Sequence, residues 1–295
     1  LRIRHNADPQ AVRQLRSKLK EENNGLRTVV ADEIYQLDCS KASLPPSIKD
    51  IVLNYSQSGV LARQELGSML PVLLLAKHLE SAKSCLDLCA SPGSKTLQAL
   101  EQLQSNALLV ANDVHPGRLD ALRDAVRRSG VPDAEARIMF TCQNATTFEL
   151  LRTANNNNHR ELVQFDVILC DVPCSGDGTC RKDRHILSSW KPNIGNELHE
   201  TQLAILKRGI ELLKPNNGRL CYSTCSMNPV ENEAVVAAAL QTFDTVELVD
   251  IIIEDIIQGV ELQDGLSHWK VAEYSDREDD DEDDDTGEAT RLTWW

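Results

Sequence analysis

The feature that most constrains the fold is an alternation of short apolar segments with amphipathic ones between residues 85 and 242. The apolar segments end in loops and are rich in β-branched residues, which is typical of buried parallel strands. This alternation predicts an α/β fold with a doubly wound, mostly parallel, Rossmann-like sheet. The predicted strands are 85–89, 108–113, 137–144, 165–171, 218–225 and 246–253, and the predicted helices between them are 97–104, 118–129, 197–213 and the segment from a cap at 228–231 to about 242.

The chain of 295 residues suits one large α/β domain with an appendage. Residues 1–80 are predicted to form a small N-terminal α+β module, whose first helix has Asp8 as its N-cap and Pro9 in its first turn. Residues 81–275 form the sheet domain. Residues 276–288 are too charged to pack and are expected to be a disordered insertion, and residues 289–295 are a truncated continuation.

The net charge of −14 disfavours nucleic acid as a partner at first sight. Much of it is local, however, because residues 276–288 hold ten acids and one arginine. The first twenty residues carry six Arg or Lys against one Asp. A basic face is therefore compatible with an acidic protein, although a merely solvated helix face explains the same pattern.

Cysteine content and hydropathy indicate the class of protein. The nine cysteines are an odd number, and several fall on predicted strands, which favours thiols in a reducing compartment over a disulfide framework. No apolar run is long enough to span a bilayer, and no signal-peptide pattern opens the sequence. No membrane association is expected.

A loop glycine and an acid suggest a cofactor site. Gly93 lies between the first strand and its helix, where the backbone can approach a ligand. Asp113 ends the next strand, where a carboxylate can bind the two hydroxyls of a ribose. Together they indicate an adenosine-type cofactor. A turn glycine and a helix-capping acid are an equally good explanation of the same residues, since the loop is not GxGxxG.

Three further residues lie at or just after strand ends, where open α/β sheets bind ligands. Asp171 ends the fourth strand and Cys174 follows it, and Cys225 ends the fifth. Cys170, Cys174, Cys221 and Cys225 could also mimic a four-thiolate zinc site, but their positions along two strands make convergence on one metal awkward. We expect no metal, and we expect Cys85, Cys142, Cys170 and Cys221 to be small buried apolar residues.

A thiol beside an adenosine site suggests covalent catalysis. Methylation of cytosine carbon-5 needs a thiol, because that carbon is a poor nucleophile until a thiolate adds to carbon-6. Asp171 is the carboxyl in reach by sequence to bond the base. An enzyme that methylates an exocyclic amine needs no thiol and would favour an aromatic residue at the position of Cys174.

These motifs resemble the Sun-domain (Nop/Sun) family of RNA cytosine-5 methyltransferases, which use S-adenosyl-L-methionine, and in particular its eukaryotic tRNA branch. The resemblance covers roughly residues 59–240. It is carried by Leu88-Cys-Ala-Ser-Pro-Gly-Ser-Lys-Thr96, Asn112-Asp113, Asp171-Val-Pro-Cys-Ser-Gly-Asp-Gly178 and Ser223-Thr-Cys-Ser-Met-Asn-Pro-Val-Glu-Asn-Glu233.

The resemblance implies a role for each matching residue. Cys225 is the nucleophile and Cys174 assists product release. The methionine part of the cofactor is bound by Cys89, Ala90, Ser91, Pro92, Gly93, Ser94 and Lys95. Asp113 binds the ribose, Asp171 faces both cytosine and cofactor, and Lys95 can also reach the base. Asn144 stands where the family usually has an adenine-contacting Asp, which predicts weaker or altered binding.

The resemblance also sets expectations beyond the site. It implies that the partner is RNA, with tRNA as the first candidate. It also implies a nuclear or nucleolar location. The chain lacks the family's final antiparallel strand, which predicts an unpaired sheet edge. We expect a monomer whose acidic segment can bind a basic partner. A catalytically weak, RNA-binding assembly factor with the same fold is the alternative.

Overall fold

The computed structural model of the chain describes residues 1–5, 7–22, 26–30, 33–37, 43–153, 160–182, 184–251, 257, 263–269, 271–272 and 292–293. The chain forms two compact units. The first comprises Leu1–Asp171, Arg208–Tyr222 and Leu248–Leu262, and the second comprises Val172–Lys207, Ser223–Glu247 and Gln263–Trp295.

The N-terminal part of the first unit is an antiparallel sheet with two helices. Strands β1–β4 lie in the order β2-β3-β1-β4. Helix α1 begins as predicted, because the Asp8 side chain accepts a hydrogen bond from Ala11 N at 2.7 Å. Leu15 and Leu19 of α1 are buried against this sheet's apolar cluster. The elements are β1 Arg2–Ile3, α1 Pro9–Glu21, β2 Leu26–Val30, β3 Ile34–Leu37, α2 Pro46–Gln57 and β4 Leu61–Ala62.

Five of the six strands predicted for the main sheet are present, with shorter bounds at most ends. Two short helices, α3 Leu66–Leu74 and α4 Ala76–Leu79, precede it. The strands are β5 Ser84–Asp87, β6 Leu108–Asn112, β7 Ile138–Thr141, β10 Val167–Asp171 and β11 Arg219–Ser223. Strands β10, β5, β6 and β7 pair in parallel, and β11 lies beside β10.

Helices connect most of these strands, and a short strand pair lies between β7 and β10, so the α/β prediction is confirmed. The helices are α5 Ser94–Gln102, α6 Pro116–Arg127, α7 Ala134–Arg137, α8 His185–Ser189, α9 Pro192–Glu211 and α10 Glu233–Thr242. The remaining strand pairs are β8 Leu151–Thr153 with β9 Arg160–Leu162 and β12 Val271–Ala272 with β13 Leu292–Thr293. Cys85, Leu86 and Leu109 are fully buried in the sheet, as continuous apolar strands predict.

Two predicted elements are wrong or displaced. Residues 246–251 of the predicted strand 246–253 are irregular and exposed, with Leu248 69% accessible, and the other two residues lie outside the described ranges. Their composition favours a strand, but a strand also needs a neighbour to pair with. The last helix begins at Glu233 with Asn232 as N-cap, just after the cap predicted at 228–231.

The other regional predictions stand as follows. The acidic run 276–288 lies outside the described residues. The predicted boundary at residue 80 falls inside the first unit, and an RNA-binding role for residues 1–80 stays a prediction. Among the described helices, none has both the length and the apolar character needed to cross a lipid bilayer.

Candidate active site

The strand order of the main sheet reverses between β5 and β10. The chain runs outward from β5 through β6 to β7 and then returns to the other side of β5 as β10. Ligands of open α/β sheets bind beyond the carboxyl ends of strands at such a point. In the first unit, this places the loop after β5 and Asp171 at the end of β10 where a ligand is expected.

The loop after β5 holds most of the residues predicted to bind the cofactor. Residues 89–93 form the loop, and Ser94 and Lys95 open helix α5. Gly93 has a φ of 104°, and a Cβ there would lie 2.3 Å from Leu122 Cδ1. Only glycine fits this position without strain. Ser91 Oγ is buried without a hydrogen-bond partner among the described residues, which leaves a polar atom for a ligand.

Asp113 fixes this loop from the end of β6. It is 3% accessible. One carboxylate oxygen accepts a hydrogen bond from Ser91 N at 3.2 Å, and the other accepts one from His115 N at 2.9 Å. Arg118 Nη2 donates to Ser91 O at 2.9 Å. The carboxylate therefore orders the loop backbone, and its contact with a ribose stays a prediction.

Lys95 and Asp171 form an ion pair. Lys95 Nζ lies 2.7 Å from Asp171 Oδ2 and 3.2 Å from Ser68 Oγ. The Lys95 side chain is 14% accessible and that of Asp171 is 32% accessible. The structure thus brings together two residues that are 76 positions apart and that were both predicted to act on the base.

Two groups around this loop have raised pKa values. Burial raises the pKa of Asp87 to about 7, although a hydrogen bond from Thr96 Oγ1 at 2.7 Å opposes that shift. Burial, together with Asp87, raises the pKa of the Cys89 thiol to about 12. Since the thiolate is the nucleophilic form of cysteine, Cys89 serves as packing for the loop.

Asn144 lies beyond the end of β7 and is exposed. Its side-chain oxygen accepts hydrogen bonds from Thr146 N and Thr146 Oγ1, both at 3.0 Å. It caps the short turn Ala145–Thr147. A contact of Asn144 with adenine stays a prediction, and its amide nitrogen is the group suited to make it.

In the second unit, Cys174 and Cys225 form a pair of thiols. Their sulfurs lie 3.2 Å apart, and Cys225 N donates to Cys174 Sγ at 3.2 Å. The reason is the register of the two segments that carry them. Val172 N donates to Ser223 O at 3.1 Å, and each cysteine follows two residues later. Parallel segments in this register place the two side chains next to each other.

The surroundings of the pair distinguish its two thiols. Cys225 is exposed and Cys174 is half-buried. The hydrogen bond with the Cys225 sulfur, followed by burial, raises the pKa of Cys174 far above its ordinary value. Because Cys174 keeps its proton, its S–H can donate to a thiolate at Cys225.

A buried carboxylate holds both cysteine loops. Glu231 is 0% accessible. It accepts hydrogen bonds from Ser175 N at 2.8 Å, from Ser226 Oγ at 2.7 Å and from Ser175 Oγ. Ser175 follows Cys174 and Ser226 follows Cys225, so one side chain sets the spacing of the two sulfurs. Gln202 Nε2 donates to Glu231 as well, at 3.0 Å.

A second set of contacts locks the loops at their outer ends. Asp177 Oδ1 accepts a hydrogen bond from Met227 N at 2.8 Å, and Gly178 N donates to Cys225 O at 3.0 Å. A Cβ at Gly178 would lie 2.7 Å from Cys225 O. Glycine is therefore required where the two loops approach each other.

Four further cysteines were expected to be buried, of which Cys85 and Cys170 are buried and Cys221 is half-buried. Burial raises the pKa values of Cys85, Cys170 and Cys221. Cys142 was expected to be buried and is exposed, because β7 ends one residue earlier. Within the described ranges, no group of three or more His, Cys, Asp or Glu side chains is placed to hold a metal ion, and the zinc alternative finds no support there.

Residues 72–279 match the family model of the 16S rRNA methyltransferases RsmB/F. This match covers more than half of the chain. The chain belongs to this methyltransferase family. The family resemblance deduced from the motifs is thereby confirmed.

Curated relatives extend this assignment to the eukaryotic branch. The chain is 43% identical over 220 residues to a multisite-specific tRNA:(cytosine-C(5))-methyltransferase of Saccharomyces cerevisiae, covering 72% of this chain and 31% of that one. It is 34% identical over 252 residues to a tRNA (cytosine(34)-C(5))-methyltransferase of Drosophila melanogaster, covering 81% and 33%. It thus spans about a third of the length of these two relatives.

A solved structure shares the fold of this family member. A methyltransferase homologue from Pyrococcus horikoshii superposes with a TM-score of 0.58 at 26% identity, covering 82% of this chain and 69% of that one. The Rossmann-like methyltransferase fold is therefore confirmed independently of the motifs.

Sequence reasoning missed the residues that support the thiol pair in this family member. The sequence pattern predicts a helix cap at Glu231 and indicates no role for Gln202 or Asp177. A signal was available, because a serine follows each of Cys174 and Cys225. Two serine hydroxyls beside paired cysteines indicate a shared hydrogen-bond acceptor. The sequence alone does not show that Glu231 is that acceptor.

Proposed function

We propose that the protein methylates carbon-5 of cytosine in RNA, with tRNA as the substrate, using S-adenosyl-L-methionine and a covalent bond to Cys225. The thiol pair is the observation that carries this proposal. An exposed thiol at 3.2 Å from a second thiol with a raised pKa suits nucleophilic addition followed by release. The names of the curated relatives support tRNA as the substrate class.

The loop after β5 suits the cofactor. The left-handed Gly93, the orphaned Ser91 hydroxyl and the amino end of α5 provide a close backbone approach and unsatisfied polar groups. Residues 89–95 would hold the methionine part and Asp113 the ribose. When bound, S-adenosyl-L-methionine supplies an electrophilic methyl group.

Cys225 begins the reaction on the base. Its thiolate adds to cytosine carbon-6, which forms an S–C6 bond and makes carbon-5 nucleophilic. We assign Asp171 the exocyclic amine of the base, since a carboxylate accepts that N–H. Lys95 holds the carboxylate in place through their ion pair. The target base has to leave its stack to reach these groups.

Cys174 acts in the second half of the reaction, in which the methylated base is released. A hydrogen bond to the Cys225 sulfur is the main cause of its raised pKa. Once Cys225 is bound to carbon-6, it no longer carries a thiolate that would oppose ionisation of Cys174. Cys174 can then remove the carbon-5 proton after methylation. The S–C6 bond breaks, and its electron pair returns to Cys225.

The test is covalent trapping on tRNA that carries 5-fluorocytosine, whose carbon-5 has no proton to remove. Wild-type protein is expected to form an adduct at Cys225, and Cys225→Ala is expected to form none. On ordinary tRNA, Cys174→Ala is expected to accumulate the adduct. Full methylation by Cys225→Ala would refute the covalent mechanism.

The alternative, a weakly catalytic RNA-binding assembly factor, is distinguished by calorimetry. Asn144 motivates it, since its side-chain oxygen is already used in a local cap. No heat on titration with S-adenosyl-L-methionine, together with retained RNA binding, would favour this alternative. A monomeric state and a nuclear or nucleolar location stay predictions, as does a basic partner for the acidic segment.

A further inference from the structure

A basic cavity lies in the N-terminal part of the first unit, within residues 1–102. Its volume is about 290 Å³, and β1 and α1 form much of its wall. Glu33 is the one acid in its lining among the described residues. The basic residues that line it are Arg2, Arg4, His5, Arg13 and Arg16.

The inner wall of this cavity carries buried positive charge. Arg2 and Arg4 both bond to Glu101, whose side chain is 0% accessible. Arg4 Nη1 lies 2.7 Å from Glu101 Oε1, and Arg2 Nη2 lies 3.2 Å from the same oxygen. Two guanidinium groups share one carboxylate, so these three groups carry a net positive charge.

Arg4 also has an unsatisfied donor. Its Nε is buried and has no hydrogen-bond acceptor among the described residues. An unmet buried donor costs about 1–3 kcal/mol, and such groups are rare in native proteins. An acceptor oxygen inside the cavity would satisfy it.

Two more arginines line the cavity from helix α1. Arg13 and Arg16 are three residues apart, so they lie on one face of the helix. Arg13 is exposed and Arg16 is half-buried. Guanidinium groups suit phosphate because their N–H donors match its oxygens in pairs.

We propose that this cavity binds a backbone phosphate of the RNA substrate, with Arg4, Arg13 and Arg16 as the residues that bind it. The proposal rests on the proposed function, which supplies RNA as the source of the phosphate. It explains how a chain with a net charge of −14 can hold a polyanion, because local charge governs such contacts. The contact would position the RNA without reading its bases.

The experiment measures binding of a fluorescently labelled, unmodified tRNA transcript to the whole chain by anisotropy at rising salt. Arg13→Gln with Arg16→Gln removes two charges from the cavity. Arg127→Gln with Arg128→Gln is the matched control, since it removes two exposed charges from the end of α6. Arg13→Lys with Arg16→Lys retains the charge and tests rescue.

The cavity variant is expected to bind tRNA about tenfold more weakly than wild type. Its plot of log affinity against log salt is expected to be shallower by about one unit. The lysine variant should recover part of the affinity, and the α6 control should match wild type. Equal losses in the cavity variant and the α6 control would overturn the proposal.

Two further outcomes separate the sources of failure. If wild-type protein binds no tRNA, the proposed function fails along with the cavity. In the second outcome, tRNA binds normally, but inorganic phosphate displaces it far better than chloride does at equal ionic strength. If the cavity variant also loses this sensitivity to phosphate, the ligand of the cavity is free phosphate. That result would overturn RNA as the source.

Discussion

The loop after β5 and the thiol pair each place a cysteine just beyond a strand, yet in opposite surroundings. Cys89 is half-buried, and burial raises its pKa to about 12. Cys225 is exposed and lies 3.2 Å from a second sulfur. The comparison teaches that the position after a strand does not by itself decide whether a thiol is accessible or stays protonated, which are the properties that govern thiol chemistry.

The two regions also differ in how they are fixed. In the loop after β5, a carboxylate from the adjacent strand accepts backbone N–H groups, as Asp113 does from Ser91 and His115. In the thiol pair, the buried Glu231 accepts from both a backbone N–H and two serine hydroxyls. The first arrangement shapes a backbone that can bind a ligand. The second sets the distance between two side chains.

The largest expected effect tests whether access alone confers reactivity. Cys225→Ser is expected to lower methylation of tRNA to background, a loss on the order of 10⁴-fold, because the nucleophile is removed. Cys142→Ser is the matched control, since that thiol is also exposed but has no part in the proposed reaction. Tritium transfer from labelled S-adenosyl-L-methionine measures both. Comparable losses of methylation in the two variants would show that Cys225 does not differ from another exposed cysteine.

The next prediction concerns the carboxylate that spaces the thiols. Glu231→Gln is expected to lower kcat by roughly 10²-fold, because a shift of about 1 Å in a reacting group has that cost. The Gln side chain cannot accept from all of the donors around it. Glu233→Gln, a nearby half-buried acid, serves as control. The rate of 5-fluorocytosine adduct formation should fall in parallel with kcat, and an unchanged adduct rate would argue against a positioning role.

A third prediction concerns pH and the buried acid under the loop after β5. The pKa of Asp87 is raised from 3.8 to about 7, so the folded state holds a proton that the unfolded state has lost. Stability therefore declines as pH rises towards 7, by about 2 kcal/mol between about pH 5.5 and 8. Asp87→Asn should lose this dependence. Denaturant unfolding of both proteins at the two pH values measures it, and identical pH profiles would contradict the assignment.

The smallest expected effect tests the backbone of the same loop. Gly93→Ala should destabilise the protein by about 1–2 kcal/mol, because of its positive φ and the approach of Leu122. Gly117→Ala is the control, since a Cβ there meets nothing within 4 Å and the residue lies in helix α6. That change should be neutral or stabilising by up to about 1 kcal/mol. Thermal unfolding compares the two, and equal effects would show that Gly93 is not specially required.

Much of the fold was predictable because its signals are local. The apolar runs ending at Asp87 and Asp171 identify strands by hydrophobicity alone, and the motif around Gly93 identifies the turn. The segment 246–251 shows where this fails. Its residues favour a strand, but pairing depends on a neighbour that composition does not reveal.

The candidate site was predictable as a set of residues and less so as an arrangement. The motifs identified Cys174 and Cys225, and the Lys95–Asp171 pair contains two predicted residues. Glu231 was missed because two of the residues that donate hydrogen bonds to it, Ser175 and Gln202, lie 56 and 29 positions away. Distant polar contacts of this kind leave no periodic pattern in the sequence.

The sequence by itself determined the α/β class, the family and the set of candidate site residues, because strand periodicity and loop motifs are local properties. Only the tertiary structure decided which thiols stay protonated, how close two sulfurs lie and which buried carboxylate spaces them. These depend on burial and on charges brought together from distant parts of the chain, and a linear pattern carries neither distance nor solvent access.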